Sequence, residues 1–479
     1  MLQCIEERLR YNEYMPSTQR RVGLWVLSLV SLFYLIAVFP LAYFRHDDWL
    51  ILGNAVHHFA LDWTSAFHPT LFYVNEEIVW FFRPVFKALV YVFYRLLGFH
   101  YYLWLAVLYA CFVASVGMGC VAISKLTRST YWGLFSFVLL IASLHVHFGS
   151  LFWMGEGMMN CPQLFLLTAN LFLFSLSQEK AFYRNQGVAY LCFVLALGIK
   201  ESSVFHAGFL GLIILLDSKF ARDRKLGLLA VYGVTAATYL YFRLFVVPVN
   251  PYYVPQIHFL PLAKALLTLL AALALPLFIP GFLQWRRSPA DWLAYKKAIR
   301  GLWPYFLFVL VTLLPYLGHP FFSPGWLLLP SAYLVFTLGL LGNRIEALPI
   351  RWRSLVVWTL VLSSLPVGLR VVKLRWWDWK QGQMAMQSYI QTAPAEKVDK
   401  VVVYDCVDPA TPHLAFDRVI GFEAGLHHLW GIYHPGDIPI QIRACDRFRD
   451  RYTGKKRDMV LFWKFPKLDW VNRDAVQGY

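Results

Sequence analysis

Two adjacent carboxylates, Asp47 and Asp48, are the residues of this chain best suited to acid–base chemistry. They follow directly after the first long apolar run, at 22–44. Because neighbouring carboxylates repel each other, the pKa of one of them is raised, and that group can accept a proton near neutral pH. The pair also has a simpler interpretation, because charged residues often mark the point where a helix leaves a membrane.

Several basic and acidic side chains are expected at the same depth as the aspartate pair. The basic ones are Arg45, Arg83, Lys87, Lys200 and Arg243. The acidic ones are Asp62, Glu76, Glu77, Glu156 and Glu201. Cations at headgroup depth can bind a phosphate through charge-assisted hydrogen bonds, although each one alone is more often a headgroup anchor or an ion-pair partner. As a set facing one acidic pair, they predict a site for a phosphate-linked lipid.

The composition shows what kind of chain has to position these side chains. Of its 479 residues, 58% are apolar and 15% are charged, whereas about 25% are charged in soluble proteins. The last 107 residues carry 29 charged residues and the first 372 carry 43. We therefore expect a membrane-embedded domain at 22–372 and a water-exposed domain at 373–479. This excludes a cytosolic enzyme and a disordered chain, and seven cysteines are too few for a secreted disulfide scaffold.

Eleven apolar runs predict about eleven transmembrane helices, since about 20 residues span the hydrocarbon layer. They occupy 22–44, 101–124, 130–148, 158–177, 187–199, 203–217, 226–247, 260–283, 301–318, 326–341 and 354–372. The first run continues into charged residues without a small-residue cleavage site, so we expect a retained signal anchor.

The distribution of Lys and Arg predicts the orientation. With the N-terminal segment 1–21 in the cytoplasm, 20 of the 28 Lys and Arg residues before residue 373 fall on the cytoplasmic side, as the positive-inside rule requires. The first outer loop is then 44–100, and 373–479 is extracytoplasmic. The net charge of +16 has the same origin. No nucleic-acid-binding motif is present, so we expect no nucleic-acid partner.

The first outer loop is expected to be ordered. Residues 84–98 form an apolar stretch that is too short to span the bilayer comfortably. Lys87 and Arg95 lie eight positions apart, and we expect them on one face of this stretch. The pattern predicts a helix that lies in the membrane interface.

The C-terminal domain is expected to be a small α/β domain. Strand-like runs lie at 400–404 and 459–463, with a helix predicted at about 416–430. Cys406 and Cys445 are the two cysteines of this domain. An oxidising compartment would permit a disulfide between them, but the sequence does not show whether their Cα atoms approach within about 7 Å.

Short motifs in a fixed order carry a resemblance to a known superfamily. They are HDDW at 46–49, FFRPVFKALVYVFYRLLG at 81–98, GIKESSVFHAGFLGLIILLD at 198–217, YFRLFVV at 241–247 and GWLLLPSAYL at 325–334. Over about 44–340 the chain resembles the GT-C glycosyltransferases. Its pattern is most similar to the bacterial relatives of the protein O-mannosyltransferases, and more distantly to the lipid A aminoarabinose transferase.

The resemblance implies a polytopic α-helical membrane enzyme in the bacterial cytoplasmic membrane. Such an enzyme moves a sugar, with inversion, from a polyprenyl-phosphate-linked donor to an acceptor hydroxyl at the outer face. An acid of the first outer loop, here Asp47 or Asp48, would be the general base. The acceptor would be a protein, a lipid or a glycan, and membrane lipids would surround the enzyme.

The resemblance also implies which residues bind the substrate. The phosphate would be held best by Lys200 and Arg243, and also by Arg83. The remaining candidate binding residues are Arg45 and Glu201. The resemblance implies no definite cofactor, but some relatives with paired aspartates bind a divalent metal, and the hard oxygen ligands of Asp47 and Asp48 would suit one.

A multi-span transporter of a lipid-linked or small-molecule substrate is the main alternative. Transporters place ionisable residues near the middle of the bilayer and often contain inverted repeats. Here the acids and cations gather at one mouth of the predicted bundle, and the sequence contains no evident inverted repeat. A ligase acting on a carrier lipid would be expected to have its main external loop late in the chain. The pattern therefore favours a transferase.

Overall fold

The structure is a computed structural model. It describes residues 17–38, 48, 51–52, 70–74, 77–80, 82–143, 147, 150–151, 154–178, 181–216, 221–247, 259–273, 289–318, 327–342, 400–405, 440–444, 458–464 and 467–470.

The described part of the chain is mainly helical. The helices are α1 (Ser17–Phe33), α2 (Pro84–Leu97), α3 (Tyr101–Thr127), α4 (Thr130–Ala142), α5 (Met154–Ser177), α6 (Phe182–Leu197), α7 (Val204–Leu216), α8 (Arg222–Tyr241), α9 (Phe259–Leu273), α10 (Pro289–Val311) and α11 (Leu328–Gly342). Two π-helical turns, Tyr34–Val38 and Phe242–Val246, extend α1 and α8. A 3-10 turn, Glu201–Ser203, leads into α7.

The helices are those of a membrane protein. Among the described residues, three are long and apolar enough to cross a bilayer: α3, α5, and α8 together with its π turn. Ten of the eleven predicted runs contain a described helix. The eleventh, at 354–372, lies outside the described residues, so the count of eleven stays a prediction. Helix α10 begins at Pro289, well before the predicted run at 301–318, because a helix can continue past the end of its apolar stretch.

Helix α3 forms the centre of the described core. It packs against α4 and α5, and α5 also packs against α6. The side chains of Trp104 and Phe112 on α3 are fully buried. Close approach of α3 and α4 depends on Gly133, where a Cβ atom would overlap Ser124 of α3. Small residues permit this kind of backbone contact between membrane helices.

Helix α2 confirms the short helix predicted at 84–98. Pro84 stands in its first turn, where a missing N–H costs nothing. Lys87 and Arg95, which were expected on one face, differ in exposure: Lys87 is 1% exposed and Arg95 is exposed. Eight residues of α-helix turn a side chain by about 80°, and packing buries the face that carries Lys87.

Two small sheets accompany the helices. Strands β1 (Thr70–Val74) and β2 (Glu77–Trp80) form an antiparallel pair within the first loop, which the sequence pattern did not predict. Strands β3 (Lys400–Asp405), β4 (Ile440–Ala444), β5 (Asp458–Lys464) and β6 (Lys467–Trp470) form a sheet in the order β4-β3-β5-β6. The first three of these are parallel, and β6 is antiparallel to β5.

Strands β3 and β5 coincide with the predicted runs at 400–404 and 459–463. Parallel pairing of β3 with β4 requires a crossover connection, usually a helix. The predicted helix at 416–430 falls in that connection but lies outside the described residues. The α/β class of this domain and the boundaries at 1–21, 22–372 and 373–479 therefore stay predictions.

Candidate functional site

The start of α2 is attached to the turn between α6 and α7. The carbonyl oxygen of Gly198 accepts hydrogen bonds from the backbone N–H groups of Val85 at 3.0 Å and Phe86 at 3.3 Å. These N–H groups of a first helical turn have no partner within their own helix. A Cβ atom at residue 198 would lie 2.5 Å from Val85 Cγ2, so the contact depends on glycine. It brings Arg83, directly before α2, to the residues that follow Gly198.

Arg83 and Glu201 form a forked ion pair. Arg83 Nε donates to both carboxylate oxygens of Glu201 at 3.1 Å, and Nη2 donates to Oε2 at 2.7 Å. Arg83 Nη1 lies 2.9 Å from Met159 Sδ on α5. The two side chains are 10% and 24% exposed. Because most of both groups is withdrawn from water, each charge depends on the other for compensation.

Arg243 is a second cation at the same carboxylate. It lies on the π turn after α8, and its Nε atom is 3.7 Å from Glu201 Oε1, which is too long for a hydrogen bond. Within the described residues its guanidinium group makes no hydrogen bond. The side chain is nevertheless only 16% exposed. A guanidinium group with unused N–H donors in such a place is suited to binding an anion.

Lys200 is held by the polar face of α5. Its Nζ atom donates to Asn160 Oδ1 at 2.6 Å, and Asn160 Nδ2 donates to Ser150 Oγ at 2.9 Å. Because an amide oxygen holds the ammonium group without neutralising it, the positive charge of Lys200 remains at the site.

Burial and charge set the protonation states of this turn. Burial, together with the charge of Arg83, lowers the pKa of Lys200 to about 8, against the opposing effect of Glu156 and Glu201. For Glu201, burial acts to raise the pKa, but the charge and hydrogen bonds of Arg83 and the charge of Arg243 lower it overall. At neutral pH the turn therefore carries an ammonium group beside a carboxylate.

Lys87 belongs to the same face of α2 as Arg83, one turn further along. Its backbone N–H donates to the Arg83 carbonyl oxygen at 3.1 Å. Its side chain is buried, and burial lowers its pKa to about 8. Lys87 was placed in the cation set on sequence grounds, but its burial could be seen only in the structure.

Asp48 occupies the N-terminal end of α5. Its Oδ1 atom accepts a hydrogen bond from the backbone N–H of Gly155 at 2.6 Å, and the residue is 0% exposed. Gly155 is the second residue of α5, so the carboxylate meets the positive end of the helix dipole. The next residue, Glu156, lies within electrostatic range of Lys200. Asp48 thus ties the first loop to the helix that holds Lys200.

The structure brings Arg83, Lys200, Glu201 and Arg243 into one cluster, with Asp48 beside it at the start of α5. The predicted residues Asp47, Arg45, Cys406 and Cys445 lie outside the described residues. A divalent metal held by the paired aspartates stays a prediction for that reason. Elsewhere in the described ranges no three His, Cys, Asp or Glu side chains lie close enough to hold a metal ion.

Anion binding at this cluster is expected to weaken as the pH rises through about 8. The lowered pKa of Lys200 means that it is charged below that pH and neutral above it, whereas an ordinary lysine stays charged to about 10.4. The affinity for a phosphate ligand, measured between pH 6.5 and 9.5, would report this loss. Lys200→Arg should keep its charge and flatten the profile over this range. If the phosphate affinity of Lys200→Arg still falls at alkaline pH as it does in wild type, another group causes the fall, and Lys87 is the first candidate.

The lowered pKa of Lys200 affects protein stability in the opposite direction to ligand affinity. Between about pH 8 and the ordinary lysine pKa, the unfolded chain binds more protons at Lys200 than the folded chain does. Stability should therefore rise with pH in this window, while ligand affinity falls. The two opposite slopes distinguish titration of Lys200 from alkaline unfolding.

No protein-family model and no curated protein matches the chain. Two solved structures do match it, both of ArnT from Cupriavidus metallidurans. The structure bound to undecaprenyl phosphate is 12% identical, with a TM-score of 0.47 over 92% of both chains. The apo structure is 13% identical, with a TM-score of 0.45 over 96% of this chain and 94% of the ArnT chain.

Both ArnT structures are distant matches. At these scores and identities they describe only a likeness in chain path. The function proposed below rests on the residues of the cluster.

Proposed function

We propose that this protein is a membrane glycosyltransferase of the GT-C type that uses a polyprenyl-phosphate-linked sugar. One observation carries the proposal. Arg243 is a mostly buried guanidinium group whose donors make no hydrogen bond to the described residues, and it lies beside the Arg83–Glu201 pair. With Lys200 adjacent, three cations lie near Glu201, and Glu156 is the other carboxylate that acts on Lys200. That excess of positive charge suits a phosphate group.

The charge arrangement fits the chemistry of the leaving group. A polyprenyl-phosphate sugar is a phosphodiester with one negative charge, and the released polyprenyl phosphate carries more. Cations that are already in place stabilise this developing charge in the transition state. Arg243 and Lys200 would take this part. Arg83, engaged by Glu201 through two of its nitrogens, would mainly hold the carboxylate in position.

The transfer itself balances with one carboxylate and no redox step. Asp47 or Asp48 removes the proton of the acceptor hydroxyl, and the hydroxyl oxygen attacks the anomeric carbon. The bond between that carbon and the phosphate oxygen breaks, the electron pair stays on the phosphate, and the configuration is inverted. The reaction would take place at the outer face of a bacterial cytoplasmic membrane. Residues 373–479, on the same side, would help to recognise a protein, lipid or glycan acceptor.

Turnover in reconstituted vesicles tests the proposal. The wild-type protein would be supplied with a panel of polyprenyl-phosphate sugars and a candidate acceptor extract, and the release of free polyprenyl phosphate would be measured. Arg243→Gln should lower kcat/KM by about 10- to 100-fold, as expected for loss of a charged hydrogen bond. Arg95→Gln is the matched control, because Arg95 is exposed on α2.

Two results would count against the enzyme. Equal turnover in wild type and Arg243→Gln would remove the proposed phosphate site. Movement of a labelled lipid or solute across the vesicle membrane without any sugar transfer would favour the transporter.

A further inference from the structure

A buried hydroxyl group beside the arginine cluster lacks a partner. The Oη atom of Tyr239 is buried, and within the ranges that the structure describes it makes no hydrogen bond. Tyr239 lies on α8 four residues before Arg243, so the two side chains emerge on the same side of the helix. Tyr239 also lies within electrostatic range of Glu201, Arg83 and Arg243. The hydroxyl is therefore near the cluster without being bonded to it.

Two other tyrosine hydroxyl groups on α8 and α6 have hydrogen-bond partners. Tyr232, two turns earlier on α8, accepts a hydrogen bond from Asn170 at 2.8 Å. Tyr190 on α6 pairs with Thr235 at 2.8 Å. Buried polar groups without partners are rare in native proteins, and each one requires an explanation. For Tyr239, the adjacent guanidinium groups are donors only, so the hydroxyl and the arginines present donors to one region.

We propose that Tyr239 is a further ligand-binding residue, whose hydroxyl donates a hydrogen bond to the phosphate group of the ligand held by Arg243. This inference rests on the proposed function and adds a residue to its binding site. The ligand class is a lipid-linked phosphate mono- or diester. A phenol suits the task because it adds a donor without adding charge, where three cations already repel one another. It also explains a tyrosine whose ring packs in the bundle and whose hydroxyl has no partner in the described part of the chain.

The test compares ligand affinity with the stability of the ligand-free protein. Undecaprenyl phosphate, the lipid bound in one ArnT structure, serves as the probe for wild type, Tyr239→Phe and Arg243→Gln in nanodiscs. Tyr241→Phe is the matched control, because Tyr241 lies on the same helix and is 62% exposed. Undecaprenol and inorganic phosphate are measured in parallel.

Tyr239→Phe should weaken undecaprenyl phosphate binding by about 10-fold or more, with Tyr241→Phe unchanged and undecaprenol not bound. The Tm of ligand-free Tyr239→Phe should equal or exceed that of wild type, because the change removes a buried hydroxyl that makes no hydrogen bond to the residues that the structure describes. A hydroxyl with a purely structural role would give the reverse pattern, a lower Tm with unchanged affinity.

The outcomes separate this inference from the proposed function. Unchanged affinity in Tyr239→Phe, together with reduced affinity in Arg243→Gln, would overturn the role of Tyr239 alone. Binding of inorganic phosphate that depends on Tyr239, without binding of the lipid, would support the contact and assign it to a free ion. No binding of either phosphate by the wild-type protein would overturn both.

Discussion

Asp47→Asn is expected to lower sugar transfer by about 10²- to 10⁴-fold, the usual contribution of a general base. Asp48→Asn should have a much smaller effect. The carboxylate of Asp48 is fully buried and accepts a hydrogen bond from the amide of Gly155 at the start of α5, so it already has a structural role at that helix end. An asparagine at 48 can still offer a side-chain oxygen to that amide. Asp47 is then the carboxylate left to take the proton.

The control is Asp48→Ala, which removes the acceptor as well as the charge. Loss of a side chain that caps a helix start typically costs about 1–2 kcal/mol of stability, so its Tm should fall. Donor turnover, undecaprenyl phosphate binding and Tm would be measured for all three variants. If Asp48→Asn binds the donor and keeps its Tm but fails to turn over, Asp48 is the base and its contact with Gly155 belongs to the resting enzyme.

The cations of the site could be predicted because their depth follows from the lengths of the apolar runs. Lys200 follows the run 187–199 and Arg243 lies near the end of 226–247. Since successive helices of a bundle alternate in direction, such positions gather at one end. The structure brings Arg243 to Glu201 and Lys200 to Asn160 of α5. Local hydropathy was sufficient for this step.

The pairing within the cluster could not be predicted, because it joins distant parts of the chain. Arg83 and Glu201 are 118 positions apart in sequence, and nothing in either segment specifies the other. In the sequence, Gly198 lies near the end of the apolar run 187–199, and nothing there identifies its partner. Only the structure shows that Val85 packs against Gly198, where a Cβ atom would not fit. A close approach depends on both contacting segments, and the sequence of one segment does not identify the other.

Tyr239 could not be predicted as a site residue for a related reason. A tyrosine in an apolar run is usually interpreted as a core aromatic residue. Tyr239 differs because its hydroxyl has no hydrogen-bond partner among the described residues. Lys87 was expected to face the headgroups with Arg95, but tertiary packing buries it. Periodicity describes the faces of a helix, whereas the neighbours decide which face is covered.

Removing the carboxylate of Glu201 is expected to destabilise the folded protein by about 3–5 kcal/mol, the range for breaking a buried ion pair from one side. Glu201→Gln would leave Arg83 and Arg243 close together without a counter-charge. Arg83→Gln should also destabilise, since Glu201 would lose its hydrogen-bonded partner and keep Arg243 at 3.7 Å. The double variant Arg83→Gln/Glu201→Gln should recover most of the loss, because two amides can hydrogen-bond without a buried charge. Free energies of unfolding in detergent, arranged as a double-mutant cycle, measure this coupling.

The fall of the unfolding free energy at acid pH tests the role of Glu201 independently. The pKa of Glu201 is lowered in the folded protein, so its contribution is present above the ordinary carboxyl pKa and is lost as the pH falls through the lowered value. Glu201→Gln should lack this component of acid destabilisation. The opposite result is equally informative: a variant that is as stable as wild type and binds undecaprenyl phosphate more tightly would show that Glu201 competes with the phosphate. In that case the surrounding protein would hold Arg83 and Arg243 in place, and the phosphate would displace the carboxylate of Glu201.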